Sequence, residues 1–475
     1  MSATNGMRCL VRPSTTAIPL SFPRQAPFAL SQTTPFSTTS ANARPPKQKA
    51  PELPRSHVRA GKRLVLGKKN KQNKIAEKGK PPLPGERKAY RKRITLSNDN
   101  AIPVPWVTDL GPESLMNSDN VAKILSLPEE VQDQLRASEA FKPTQCWKMF
   151  RKPSVLVRRE TVDLVNRMQS ATEKKQTLRL VLTGDKIAGK SLMVLQAMAH
   201  AYLNEWVVIH IPEAQELTTA CTEYAPIPGT DPVQYMQPNY VLKLLQAIKK
   251  ANEKVLSKTF TISSHPELPQ NMPPNTPLLT LANAAKEPDA AWPVFQALWQ
   301  ELTAKGANRP PILLSLDGLA HIMKVSDYRS PAFELIHSHD LALVRLFTDA
   351  LGGAVQFPSG GAVLAATSRN NAPRTPSMEL SLAQREAEQA GREVPQPDPF
   401  FRGYDERVEA VLRSVQVLPL GGITKLEARA LMEYWAASGM LRATIDEKTV
   451  TEKWTLAGSG VLGELERAAL LTMRI

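Results

Sequence analysis

The sequence predicts an α/β protein: a parallel sheet with flanking helices, followed by a helical C-terminal lid and preceded by a basic N-terminal arm that cannot fold alone. Three observations predict this. A strand-like run passes into a helix through the spacing GxxxxGKS at Gly184–Ser191. Four further apolar, β-rich runs alternate with helix-forming stretches, the pattern of a parallel sheet with crossover helices. The charge, finally, is concentrated at one end. Of 475 residues, 60 are Lys or Arg and 45 are Asp or Glu, a formal charge of +15. Residues 1–93 hold 21 of the basic residues against three acids, or +18, which leaves 39 against 42, or −3, for the rest.

At 42% hydrophobic and 22% charged residues, the near-neutral body can bury a large core, consistent with two domains or one large domain with appendages. Its most apolar run, Ala342–Phe357, is interrupted by Arg345 and Asp349, so no stretch spans a bilayer. Three widely separated cysteines, Cys9, Cys146 and Cys221, provide neither a disulfide framework nor a zinc site and point to a reducing compartment.

The N-terminal elements follow from composition. Residues 1–50 lack Asp and Glu but carry Arg8, Arg12, Arg24 and Arg44 among thirteen Ser or Thr, the composition of a mitochondrial transit peptide, assigned to residues 1–43. Residues 44–93 interleave Lys and Arg with Pro and Gly, and seventeen of the basic residues lie beyond Arg44. Such a segment builds no core and suits an extended contact with a polyanion, for which nucleic-acid phosphates are the expected partner. Residues 94–170 form a lead-in segment that packs on the core, 171–420 the sheet domain and 421–475 the lid.

Within the sheet domain, the run Leu178–Thr183 is the first strand, and the turn after it has the residues needed to cradle phosphate. Backbone N–H groups from Lys186 to Ser191 converge at a helix N-terminus, where the helix dipole adds partial positive charge. The nucleotide ligands are expected to be Gly184, Asp185, Lys186, Ile187, Ala188, Gly189, Lys190, Ser191 and Leu192. Lys190 reaches the β- and γ-phosphates and the Ser191 hydroxyl ligates Mg²⁺. Trp206–Ile211 reads as the second strand, and Pro311–Asp317 as a third whose terminal carboxylate, Asp317, holds the metal through water. Gly361–Asn370 is a fourth, ending in the polar residues Thr367 and Arg369 where a γ-phosphate sensor sits in AAA- and STAND-like NTPases; Val415–Leu420 is the fifth. The fold class is therefore an AAA/STAND-like P-loop NTPase with ligands at the strand C-termini.

Two absences bear on activity. Gly318 stands where hydrolytic members of this class carry a water-polarising Glu, which predicts nucleotide binding with little or no turnover. The guanine-reading motif NKxD is missing, and Thr424–Glu427 is its nearest echo, with the wrong acid. Residues 257–293, with seven prolines, and 371–400, rich in Pro, Glu and Gln, read as irregular insertions. Lys425–Trp435 and Gly460–Ile475 read as the lid helices, and His337 and His339 as packing or helix-entry residues rather than metal ligands.

With these motifs in place, the chain resembles the fungal branch of the death-associated protein 3 family, mitochondrial small-subunit ribosomal proteins that carry a P-loop. The resemblance rests on Gly184–Ser191, Phe150–Arg159, the strand Ile312–Asp317, the run Ser338–Leu341 and the transit-like N-terminus. It implies a protein of the mitochondrial matrix and mitochondrial ribosome that binds GTP or GDP with Mg²⁺ and contacts ribosomal RNA and neighbouring ribosomal proteins. ATP is the alternative ligand, because NKxD is absent. The competing function is an AAA/STAND-like NTPase switch driven by hydrolysis.

Overall fold

The computed structural model describes residues 94–305, 309–368 and 372–471. The transit peptide and basic arm expected over residues 1–93, and the candidate residue Arg369, lie outside the described residues.

The lead-in begins with β1 (Thr108–Asp109) and β2 (Ile124–Ser126), followed by α1 (Glu129–Ala137), β3 (Ser154–Leu156) and α2 (Arg159–Glu173). β1 pairs parallel to β2, and β2 antiparallel to β3. The core then runs β4 (Thr177–Gly184), α3 (Lys190–Leu203), β5 (Val207–Ile211), α4 (Gln215–Thr218) and the short hairpin β6 (Ala225–Pro226) with β7 (Tyr235–Met236). Four helices follow: α5 (Pro238–Ala251), α6 (Glu253–Lys258), α7 (Leu278–Asn283) and α8 (Pro288–Thr303). Beyond them come β8 (Ile312–Asp317), the antiparallel pair β9 (Val325–Arg329) and β10 (Leu335–His337), α9 (Ala342–Gly352) and β11 (Gly361–Ala366). The chain closes with α10 (Pro376–Gln389), α11 (Glu406–Leu412), β12 (Gln416–Leu420), α12 (Lys425–Ala437), α13 (Glu447–Leu456), α14 (Leu462–Leu465) and one wide helical turn, Glu466–Leu471.

The central sheet has five strands in the order β12-β4-β11-β8-β5, all parallel. Along β4, β5, β8 and β11, alternate residues enter two different cores. Val181, Ile209, Leu314 and Val363 face the α5, α8 and α9 side, whereas Leu180, Val208, Leu313 and Leu364 face α2 and α3. Both faces are covered, which is why these strands read as continuous apolar runs rather than alternating ones. A third core joins Ile124, Phe150 and Leu156 of the lead-in to Leu431, Met432, Trp435 and Leu465 of the C-terminal helices. No helix among the described residues is long and apolar enough to cross a membrane.

All five anticipated strands form; four lie within a residue of their expected ends, and the one expected to run from Gly361 to Asn370 stops at Ala366. The two insertions are more ordered than their proline content predicts. The first contains α7, which starts directly after Pro277, and the beginning of α8, which starts on Pro288. The second contains α10, with Pro376 in its first turn and the pair Met378 and Leu382 buried one helical turn apart. Proline at a helix start removes no needed hydrogen bond, so counting prolines understates helix here. The C-terminal stretch differs as well: α13 lies between the two helices expected, and the last one is short.

Candidate functional site

The parallel register brings the C-terminal ends of the strands to one edge. Ala366 of β11 pairs with Leu182 of β4 on one side and with Asp317 of β8 on the other. Asp317 is thereby carried two strands away from the strand that leads into the glycine-rich turn, and opposite the start of α3.

Beyond Gly184 the turn is tight. Ile187 and Gly189 both adopt left-handed backbone angles, φ +57° and +98°, and Lys190 opens α3. A β-branched residue at positive φ is costly and persists only where its surroundings over-determine it. Here they do. The Gly463 N–H donates to the Ile187 carbonyl at 3.1 Å, so α14 lies directly on the turn. A Cβ on Gly463 would fall 2.7 Å from the Ile187 Cβ, which is why only glycine fits against it. From beneath, Arg158 Nη1 donates to the Ala188 carbonyl at 3.0 Å and Nη2 to the Gly421 carbonyl, also at 3.0 Å, while pairing with Glu160 at 2.9 Å. Arg158 is 4% exposed. It ties the turn to the exit of β12.

The side chains converge on two oxygens. Ser191 Oγ donates to Asp317 Oδ2 at 2.7 Å. Lys190 is folded back on the turn, with Nζ 2.9 Å from the Gly184 carbonyl and 2.5 Å from that of Asp185. Asp185 and Lys186 are exposed, whereas Ala188 is buried. A hydroxyl and a carboxylate in contact at a helix N-terminus form a hard-oxygen pair that suits Mg²⁺. The donor set therefore fits the metal the sequence implies. A third group already touches both oxygens: Lys142 Nζ lies 3.3 Å from Ser191 Oγ and in contact with Asp317 Oδ2.

Other candidates fall into place around this pair. Gly318 has φ +91°, so a Glu at this position would sit in strained backbone; the missing carboxylate matches the local conformation. Thr367 is buried beside β4 and its hydroxyl donates to the Leu182 carbonyl at 3.1 Å, spending its donor on the backbone. Thr424 and Glu427 form the N-terminal capping box of α12. The Thr424 N–H donates to Glu427 Oε2 at 2.7 Å, and the carboxylate also accepts from the Arg159 N–H. Glu427 is committed to that helix. His337 pairs with Asp405 at 2.8 Å, and burial holds the adjacent His339 down to about 3. Among the described residues no three His, Cys, Asp or Glu side chains are grouped to hold a metal ion.

Lys142 and Arg158 belong to no nucleotide motif, and the spacing of the turn gives no hint of either. Arg158 had one indirect signal, its place in the block Phe150–Arg159. That block forms β3 and the entry to α2, and Gln196 of α3 donates to its Leu156 carbonyl while accepting from Thr161, two residues beyond it, each at 2.7 Å. His210 of β5, buried behind Asp317, bonds Ser315 at 2.8 Å and is pushed down to about 4, chiefly by burial.

Comparison with known proteins bears on this arrangement. The family model described as mitochondrial ribosomal death-associated protein 3 matches residues 155–468, from β3 to the last helical turn. A Neurospora crassa protein named small ribosomal subunit protein mS29 is 59% identical over 476 aligned residues covering 100% of both chains. Its Schizosaccharomyces pombe namesake is 26% identical across 73% of this chain and 71% of its own length. The mouse namesake is 27% identical over 112 residues, 23% of this chain.

Proposed function

The chain belongs to the mitochondrial ribosomal death-associated protein 3 family, and from that premise we propose that it is a structural component of the mitochondrial small ribosomal subunit that binds a purine nucleotide with Mg²⁺. The observation that carries the nucleotide reading is the contact of Ser191 Oγ with Asp317 Oδ2 at 2.7 Å, beside a Gly-Lys-Ser turn that opens α3. In a P-loop NTPase this is where phosphates and metal meet. The turn amides from Lys186 to Ser191 would hold the phosphates, Lys190 would release its two carbonyls to reach them, and Ser191 and Asp317 would hold the metal. When bound, Mg²⁺ offsets phosphate charge.

The nucleotide serves mainly as a ligand that stabilises the fold. A ligand present at a hundred times its Kd adds about 2.7 kcal/mol by mass action. The turn is contacted by three separate parts of the chain, Arg158, the β12 exit and α14, so stabilising it stabilises their assembly. Turnover is expected to be slow or absent, because position 318 offers no carboxylate to orient water. That argues against the AAA/STAND-like switch. GTP or GDP is the expected ligand, with ATP the alternative. Residues 44–93 would contact ribosomal RNA through counterion release, and the N-terminal segment would supply the mitochondrial address.

The test is extraction and chromatography of nucleotide from protein purified out of mitochondria, for the natural chain and for Lys190→Ala. The natural chain is expected to carry close to one guanine nucleotide per molecule, and Lys190→Ala to lose it and melt at lower temperature. A nucleotide-free natural chain that melts with Lys190→Ala would sink the reading.

A further inference from the structure

We propose that Lys142 is a tethered cation that occupies the metal position of the closed site, so that its ammonium group and a divalent ion hold Ser191 and Asp317 in mutual exclusion. The inference rests on reading those two residues as metal ligands. Lys142 Nζ touches both of the oxygens a metal would use, and Asp317 is 5% exposed at its side chain while Lys142 is 27% exposed. A buried carboxylate needs a counter-charge, and here the chain itself supplies one. A divalent ion on the same two oxygens would sit within van der Waals reach of the ammonium, where like charges repel strongly.

The backbone of Lys142 is built to stay in place while its side chain moves. Its N–H donates to Gln145 Oε1 at 2.9 Å, the Gln145 N–H returns to the Lys142 carbonyl at 3.1 Å, and Trp147 Nε1 grips the same Oε1 at 2.6 Å. Phe141, buried, sits edge-on to Trp147 with ring centres 5.3 Å apart. Lys142 also lines an open cleft whose walls carry Glu139, Glu213 and Glu216 together with Arg136, Lys243 and Lys250. Rotating out of the metal position, the ammonium enters an open cleft of mixed charge, in which three carboxylates stand among three basic side chains. Lys243 is there already, 3.1 Å from Glu139 and 3.6 Å from Glu216. The site therefore has two alternative arrangements: lysine on the two oxygens, or a divalent ion on them with the lysine turned into the solvent-exposed cleft. The exchange costs a side-chain rotation rather than a chain movement.

Nucleotide-stripped full-length protein titrated with Mn²⁺ alone, free ion being read by electron paramagnetic resonance, tests this. Lys142→Met is expected to bind Mn²⁺ at least tenfold more tightly than the natural chain, and Lys142→Met with Asp317→Asn to lose that gain. Equal affinities within twofold in the natural chain and Lys142→Met overturn the proposal. A second measurement needs no variant. Acetylation of Lys142 in the natural chain, followed by mass spectrometry, is expected to rise at least threefold when Mn²⁺ and GTP are added together. Unchanged labelling with nucleotide bound also overturns it. If neither guanine nor adenine nucleotide stabilises the protein, the nucleotide reading fails while the Mn²⁺ comparison still decides the role of Lys142.

Discussion

Replacing Arg158 by Met tests how the Gly184–Ser191 turn is held. The guanidinium makes two charge-assisted hydrogen bonds to backbone carbonyls, Ala188 and Gly421, each at 3.0 Å, and an ion pair with Glu160 at 2.9 Å. Bonds of this kind contribute about 1.5–3 kcal/mol each, and leaving a buried carbonyl without a donor costs about 1–3 kcal/mol. Two terms reduce the total. Arg158 Nε is buried with no hydrogen-bond partner among the described residues, and Glu160 is 25% exposed, so water takes over part of its charge when the arginine leaves. The expected net loss is about 3–5 kcal/mol. Chemical denaturation of the purified full-length chain measures it, with a shift of midpoint at unchanged slope marking a pure stability effect. Arg158→Lys should recover less than half of the loss, since an ammonium cannot span two carbonyls in the fixed fork of a guanidinium. Nucleotide occupancy should fall in parallel, because Ala188 lies inside the turn. A loss below about 1 kcal/mol for Arg158→Met, or full recovery by Arg158→Lys, would refute the reasoning that the fork organises the loop.

Two further outcomes follow from burial and from charge. Burial holds His200, His210 and His339 neutral, with folded values of about 4, about 4 and about 3 against 6.5 when unfolded. The unfolded chain takes up their protons first, so stability is full above pH 6.5 and falls as pH drops toward 4; each histidine contributes about 1.4 kcal/mol of loss per pH unit in that window. Denaturation midpoints at pH 7.5, 6.5 and 5.5 check this, and a midpoint that rises as pH drops would contradict it. Deleting residues 44–93 is expected to weaken association with the small subunit and to flatten its salt dependence, by roughly 0.7–0.9 in log–log slope for each phosphate that is no longer neutralised. Binding titrations at several ionic strengths measure the slope, and an unchanged slope would make the segment a spacer.

The parts of the fold read directly from the chain are those whose signal is local. The five sheet strands are apolar runs bounded by breakers, and burial of both sheet faces makes them continuous. The turn at Gly184–Ser191 needs glycines and a helix start in adjacent positions, so its chemistry is written in one octapeptide. Proline-rich stretches misled where proline marks the start of a helix rather than its exclusion, as at Pro376 in α10. Thr424–Glu427, superficially close to a base-reading motif, is a capping box, and only its hydrogen bonds distinguish the two.

By itself, then, the sequence determined the glycine-rich turn at Gly184–Ser191, the sheet strands, the carboxylate at Asp317 and the unequal distribution of charge. The tertiary structure decided what those residues face. The order β12-β4-β11-β8-β5 inserts β11 between the turn's strand and the strand of Asp317, and so sets the carboxylate against Ser191, 126 residues away in the chain. The same packing brings Arg158 under the turn, Gly463 over it and Lys142 onto the two oxygens. None of these pairings has a period or a spacing, because each joins elements separated by whole strands and helices. Their geometry exists only once both faces of the sheet are covered.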